Sequence, residues 1–385
     1  MYKTVLTAGF AMFSMFFGSG NLVFPLLLGT KTLSNYSYGM MGFFLTAVIV
    51  PFLGLLSMIA FEGNRERFFN TLGKTTGFIM TFAMLALMGP FGVIPRCITV
   101  AYGGLKLLYP ELSFALFSAF FCVAVAALIW RSNRVVSIIG LVLTPFKLGG
   151  IILLIASGLY FAGDAGTAVI PSGESFNLGF TMGYQTMDLI AAFFFSATIV
   201  GYLRDHMKDK GDVKLLLKSS VMASLIGAVL LSVIYFGFVS LGAKYAPFLG
   251  DTSPEALLAA IANYTLGRYA LLIVSVTLAV SCLATAVILA TLFVDFTKYD
   301  IAGNLFKKNL PHGVAIVGTV VTTYAMSLLG FAMICQFLGT ILELAYPALI
   351  ALAIHHIMSF WVNMNQAKLV FWSIFSVSIG YAWFA

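Results

Sequence analysis

The chain has 385 residues, of which 61% are hydrophobic and 9% charged, with a mean hydropathy of +1.02. A soluble domain carries roughly 25% charged residues, so the composition excludes a soluble fold and marks an integral membrane protein. The formal net charge of +7 does not point to nucleic acid, because the basic residues are sorted by side of the membrane rather than clustered on one patch.

Apolar stretches of about 20 residues, each enough to cross a bilayer as a helix, recur along the chain. They predict spans near 5–29, 38–61, 76–104, 113–130, 136–162, 183–203, 215–243, 268–295, 312–330, 334–357 and 369–385. With the N-terminus cytoplasmic, the N-terminal stub and even-numbered loops hold Lys3, Arg65, Arg67, Lys74, Arg131, Arg134, Arg204, Lys208, Lys210, Lys214, Lys218, Lys298, Lys307, Lys308 and Lys368. The opposite side holds Lys31, Lys106, Lys244 and Arg268. This asymmetry orients the chain by the positive-inside rule, and eleven spans then put the C-terminus outside. The N-terminus lacks a cleavable signal peptide, so the first span is retained in a cell (inner or plasma) membrane. Residues 1–385 read as one transmembrane domain.

The first span contains MFFGSGNLVFP, residues 15–25. A membrane helix must satisfy its own backbone bonds, so Gly18, Ser19, Gly20 and Asn21 at its centre predict an interruption. A broken helix exposes N–H groups on one half and C=O groups on the other. The first attract a carboxylate and the second an ammonium or a metal cation. The amides of Ser19 and Gly20 are therefore candidate carboxylate binders, with the side-chain oxygen of Asn21 beside them. The competing reading, a small-residue packing face, does not call for Asn21 followed by Pro25.

Further along, Arg96 in the third span and Asp188 in the sixth lie at comparable depths from the outer end and are candidates for an ion pair, as a gate or a structural bridge. Lys147 lies eleven residues into the fifth span, about 16 Å deep at 1.5 Å per residue, where an ammonium must be paired or wetted. Glu343, in ILELAYP, is a fourth intramembrane charge with Lys147 or a water-filled cavity as its counterpart. Segments 163–182 and 244–267 predict outer loops. In the second, SPEALLAAIANY reads as a helix capped by Ser253 that braces the outer face. The sixth span, YQTMDLIAAFFFSATIVG, has small and polar residues at its centre and pairs with the first in a five-plus-five inverted repeat, with halves at about 5–162 and 183–357 and an extra helix at 369–385. In the eighth, Ser281 and Thr285 are one turn apart on one face. The four cysteines fall in spans and predict free thiols, and the four histidines make no metal constellation.

GFAMFSMFFGSGNLVFPLLLG, GPFGVIPRCITV, NRVVSIIGLVLTP, YQTMDLIAAFFF and CLATAVILAT occur in this order over nearly the whole chain. Together they resemble the branched-chain amino acid:cation symporter family of the amino acid–polyamine–cation superfamily. The resemblance implies an all-α polytopic membrane protein of about eleven transmembrane helices, with the leucine-transporter-type inverted-repeat fold and helices 1 and 6 broken. It implies import of leucine, isoleucine and valine by sodium or proton symport, with no other cofactor. The substrate would sit between breaks at Phe17, Gly18, Ser19, Gly20 and Asn21 and at Phe194, Phe195, Ser196 and Ala197, the two phenylalanines flanking the aliphatic side chain. A sodium ion would be held by the carbonyls of Ser14 and Phe17 with Ser281 and Thr285. Proton-coupled permeases of the superfamily carry a lysine in a similar fifth-span context, so Lys147 implies a proton in its place.

Other classes fit less well. A channel wants a continuous polar pore, an enzyme wants a nucleophile with its base or a metal cluster, and no loop holds a nucleotide-binding domain. A carrier of other apolar amino acids such as methionine, or an amino acid sensor on the same fold, remain the alternatives. The partners expected are the amino acid and the lipid bilayer, with no nucleic acid; the sequence leaves the oligomeric state open.

Overall fold

The structure, a computed structural model, describes residues 2–131, 134–207, 212–359 and 366–384, with the side chains of residues 131–147, 213 and 384 left aside. The described residues contain helix and no strand. The first span is split into α1 (Tyr2–Phe16) and α2 (Ser19–Thr32). The second comprises α3 (Tyr36–Phe44), a π-helical turn and α4 (Val50–Ser57), and leads to the short α5 (Arg65–Asn70). The third is split into α6 (Lys74–Met88) and α7 (Val93–Leu108), followed by α8 (Phe114–Arg131) and α9 (Arg134–Phe161). The sixth is α10 (Ser172–Tyr184) with α11 (Asp188–Asp205), and α12 (Val213–Leu249) is the seventh. Then come α13 (Leu257–Leu266), α14 (Arg268–Phe296), α15 (His312–Ser327), α16 (Gly330–Met358) and α17 (Ala367–Phe384). Five helical stretches are long and apolar enough to cross a membrane, and α10 with α11, bent by 41°, makes a sixth.

The first break falls where the glycines predict it. Gly18 is extended (φ −97°, ψ −166°) and caps α2, so α1 ends at Phe16 and helix resumes at Ser19. The sixth-span break lies elsewhere: residues 194–197 belong to the continuous helix α11, and the interruption is at residues 185–187, where Met187 takes φ 60°. The segment 163–182, expected as an outer loop, is in good part α10, the first half of that span. Its polar residues hid it. The glycines among them let α10 lie directly on α3: a Cβ on Gly179 would stand 1.9 Å from the Gly39 carbonyl oxygen. The third span carries an interruption of its own at residues 89–92, which sequence reading ran through as continuous helix.

The helices pair in a pattern that repeats on adding five to the span number. Halves α1 and α2 of the first span pack on α12, the seventh span; halves α10 and α11 of the sixth pack on α3 and α4 of the second. The third and eighth spans, through α7 and α14, pack on each other. At the first of these contacts the backbones nearly touch, since a Cβ on Gly242 would meet the Leu26 carbonyl oxygen at 2.1 Å. Helix α13 lies against α2, α7, α9, α12 and α14 and ties their ends together, as the expected brace does.

Candidate functional site

Between the two breaks lies a cavity of about 440 Å³. Its floor is α2, α7 and the residues around 186–188, where Ser19, Gly20, Asn21, Arg96 and Asp188 are all buried. Its mouth is toward the C-terminal ends of α11 and α14, where the lining residues Thr198 and Ile288 are exposed. This is the end of the bundle at which the chain begins and the basic loops gather. The walls between are apolar, with Val93, Ala191, Phe194, Phe195 and Leu289 among them.

Ser19 and Gly20 are the first two residues of α2, so their N–H groups have no acceptor one turn earlier, and both line the cavity. Gly20 is where the breaks touch: a Cβ there would come within 3.3 Å of the Gln185 carbonyl oxygen and the Thr186 Cα. Asn21 fixes the geometry of the break. Its Oδ1 accepts from the Gly18 N–H at 3.2 Å, and its Nδ2 donates to Asp188 Oδ2 at 2.6 Å and to the Tyr235 hydroxyl. Tyr235 in turn donates to Asp188 Oδ2 at 3.3 Å. The first, sixth and seventh spans are thus joined at one buried knot.

Arg96 and Asp188, expected as a candidate pair, do not form a salt bridge. Arg96 donates from Nη1 to the Gln185 carbonyl at 2.7 Å and lies over the Phe24 ring, 5.4 Å from its centroid. The reason is the turn at residues 185–187: it presents a carbonyl to the guanidinium and aims the Asp188 carboxyl at Asn21 and Tyr235. Among the described residues the ion pair is Arg204 with Glu62, at 3.3 Å.

Of the residues expected at the sixth-span break, Phe194 and Phe195 line the cavity from within α11. Ser196 does not: its hydroxyl bonds the Phe193 carbonyl at 3.0 Å and the Gly63 carbonyl at 3.5 Å. Ala197 packs at the same turn, 2.5 Å from where a Cβ on Gly63 would be. Ser14, Phe17 and Thr285 line the cavity together, whereas Ser281 faces a separate apolar cavity against α9 and α13. The Thr285 hydroxyl donates to the Ser281 carbonyl at 3.1 Å. The Lys147 side chain lies outside the described residues. Glu343 is exposed on α16. Outside the spans, the Arg65 guanidinium on α5 lies 5.0 Å from the centroid of the Phe194 ring, and burial lowers its pKa against the pull of Asp300 and Glu66. The described residues contain no group of three or more His, Cys, Asp or Glu able to hold a metal.

Sequence reasoning missed Tyr235, Thr186 and Gln185. A tyrosine in an apolar span and a polar pair before Asp188 were weak signals. The stronger one, QTMD as the start of a second half-helix, is passed over when the break is placed downstream at residues 194–197.

The family model described as "Branched-chain amino acid transport protein" matches residues 1–383. The chain belongs to this family. By sequence it is 29% identical to the branched-chain amino acid permease BrnQ of Bacillus subtilis, over 98% of this chain and 87% of that protein. It is 25% identical to BrnQ of Escherichia coli, over 94% and 82%. By structure it resembles the inward-facing conformation of Mhp1, with a TM-score of 0.63 at 12% identity over 94% of this chain and 79% of that one. It also resembles MhsT in complex with L-phenylalanine, with a TM-score of 0.56 at 14% identity over 96% and 95%. The fold is the leucine-transporter type with broken helices 1 and 6, in a multi-pass membrane protein of a transporter family.

Proposed function

We propose that the chain is a secondary carrier importing leucine, isoleucine and valine by cation symport. The observation that carries this reading is the cavity between two helix breaks, with the unfilled amides of α2 at one end and an aliphatic wall around Phe194 and Phe195. The amides receive the carboxylate, and the apolar wall takes the branched side chain. With the N-terminus cytoplasmic in a plasma or inner membrane, the open mouth faces inward and the buried floor closes the outside. The first, second, sixth and seventh spans then rock against the third, fourth, eighth and ninth to open the site alternately to each side. Sodium at Ser14, Phe17 and Thr285, or a proton on Lys147, is the coupling ion. The names of the family and its permeases support the substrate; the coupling rests on the residues alone.

The test is uptake of labelled leucine into proteoliposomes under a sodium gradient alone and a proton gradient alone, with valine, isoleucine and methionine as competitors. Uptake driven by one gradient and blocked by valine and isoleucine is expected. Methionine competing best would shift the substrate to other apolar amino acids. Leucine binding without flux under either gradient would make the protein a sensor and overturn the carrier reading.

A further inference from the structure

We propose that Arg96 and Asp188 form a charge clamp for the two ends of a zwitterionic solute: Asp188 receives the α-ammonium, and Arg96, with the Ser19 and Gly20 amides, receives the α-carboxylate. The inference deepens the carrier reading and rests on it.

Both residues line the same cavity and are all but sealed from solvent, at 1% and 2% exposure. Ions buried at membrane depth are costly unless paired, and partners are the rule. Neither makes a salt bridge among the described residues; each feels the other's charge across the cavity without contact. Arg96 has one carbonyl on Nη1, a ring beneath it and the Cys335 side chain beside it, all uncharged, and its Nε has no partner. Asp188 receives bonds from Asn21 and Tyr235, both landing on Oδ2, and from Thr186, and all three donors are neutral.

An outer gate made of this pair would be bridged when the outer side is closed. Here that side is closed, both residues are buried within it, and they stay unbridged. Their placement suits a third party instead. The Cys97 thiol contacts the Ser19 hydroxyl at 3.5 Å, which sets the turn of α7 carrying Arg96 against the first turn of α2. The Asn21 bond sets Asp188 against that same turn of α2 from the sixth span. An α-amino acid bears one ammonium and one carboxylate on a single carbon. Seated at the start of α2 it offers each buried ion its opposite, and its side chain points to the apolar wall. A solute with one charge leaves one of the two uncompensated, so the clamp selects zwitterions over amines and over acids of the same shape.

The experiment measures binding of labelled leucine to the purified full-length protein in lipid nanodiscs. Two competitors of similar shape are used, isopentylamine (no carboxylate) and 2-hydroxy-4-methylpentanoate (no ammonium). In the wild type, each binds at least about 30-fold more weakly than leucine, the scale of an unpaired buried charge. Asp188→Asn weakens leucine by a similar factor and leaves the hydroxy acid unchanged or tighter. Arg96→Gln does the same with the amine spared. Asp188→Glu and Arg96→Lys keep the wild-type order of the three ligands at reduced affinity, and they serve where a neutral variant does not fold.

Leucine bound by the wild type, with all three ligands weakened in parallel by the neutral variants, would leave these residues a structural role and overturn the clamp alone. So would isopentylamine or the hydroxy acid matching leucine in the wild type, a result that needs no variant. A wild type that binds no amino acid would remove the carrier reading and the clamp with it.

Discussion

Asn21→Ala tests the knot that holds the two breaks in register. The substitution removes three hydrogen bonds: to Asp188 Oδ2 at 2.6 Å, to the Tyr235 hydroxyl, and from the Gly18 N–H at 3.2 Å. Two are neutral bonds, each worth about 1 kcal/mol net, and one has a charged acceptor worth about 1.5–3 kcal/mol. The expected loss of stability is therefore about 3.5–5 kcal/mol. Tyr235→Phe removes the bond to Asn21 and the longer one to Asp188, at 3.3 Å, and should cost about 2.5–4 kcal/mol, toward the lower end for the longer bond. The Asn21–Tyr235 bond is counted in both single variants, so the double variant should lose about 1 kcal/mol less than their sum. Denaturant unfolding in micelles reads all four proteins, and leucine binding is read alongside. Without Asn21 the Gly18 amide keeps only the Phe16 carbonyl, at 2.8 Å, and the angle of α2 is no longer fixed from the sixth and seventh spans, so leucine affinity should fall at least about tenfold. Costs that add within about 0.5 kcal/mol would mean the two side chains act independently, and wild-type leucine affinity in Asn21→Ala would refute the positioning role.

Ser19→Pro removes an amide from the site at the one helical position where proline is well tolerated, the first. Normal expression with leucine uptake lost is expected, and normal uptake would show that this amide does not touch the solute. Thr285→Val removes a hydroxyl that lines the cavity; if sodium is bound there, the concentration needed for half-maximal uptake rises about tenfold or more while proton-driven uptake stays. Lys147→Ala should abolish any dependence of uptake on the proton gradient without preventing leucine binding, and an unchanged pH profile would return this lysine to packing. Gly242→Ala puts a Cβ 2.1 Å from the Leu26 carbonyl oxygen, which cannot rotate away, so a cost at or above the usual overpacking range of about 1–3 kcal/mol follows. The control is Gly318→Ala, where a Cβ meets nothing within 4 Å and stability is unchanged or raised in an unfolding assay.

The two breaks differed in how openly the sequence announced them, for a physical reason. In the first span two glycines, a serine and an asparagine interrupt an apolar run, and no lipid-facing helix needs them, so the break was readable to within two residues. In the sixth span the first half, SGESFNLGFTMGY, is itself polar and glycine-rich. Its polarity is hidden by contact with α3 rather than by its own composition, and hydropathy reads such a segment as loop. The span was therefore started too late and its break sought ten residues downstream. Asp188 was read as an intramembrane charge, but its partners were not legible. They are chosen by the turn at residues 185–187, and a left-handed Met187 leaves no trace in a pattern of apolar residues. Tyr235 was hidden more completely, since its role exists only across 47 residues of chain from Asp188.

The distribution of close backbone contacts bears on which parts of the molecule move together. Where α2 meets α12 and where α3 meets α10, carbonyl oxygens stand about 2 Å from the positions a Cβ would occupy on Gly29, Gly42, Gly179 and Gly242. Helices so close can neither slide nor rotate without backbone collision, and packed interiors resist partial shifts. These contacts lock the first span to the seventh and the second to the sixth, and the Asn21–Asp188–Tyr235 knot ties the two pairs into one body. The cavity lies on the outer face of that body: one wall is α1, α2 and α11, and the other is Met88, Val93, Arg96 and the α14 side chains from Thr285 to Leu292. Arg96 thus belongs to the opposing wall while Asp188 belongs to the locked body. A solute bridging the two charges would draw the walls together at the closed end of the cavity, so the contact that selects a zwitterion is also the one that couples its binding to the relative position of the two bodies.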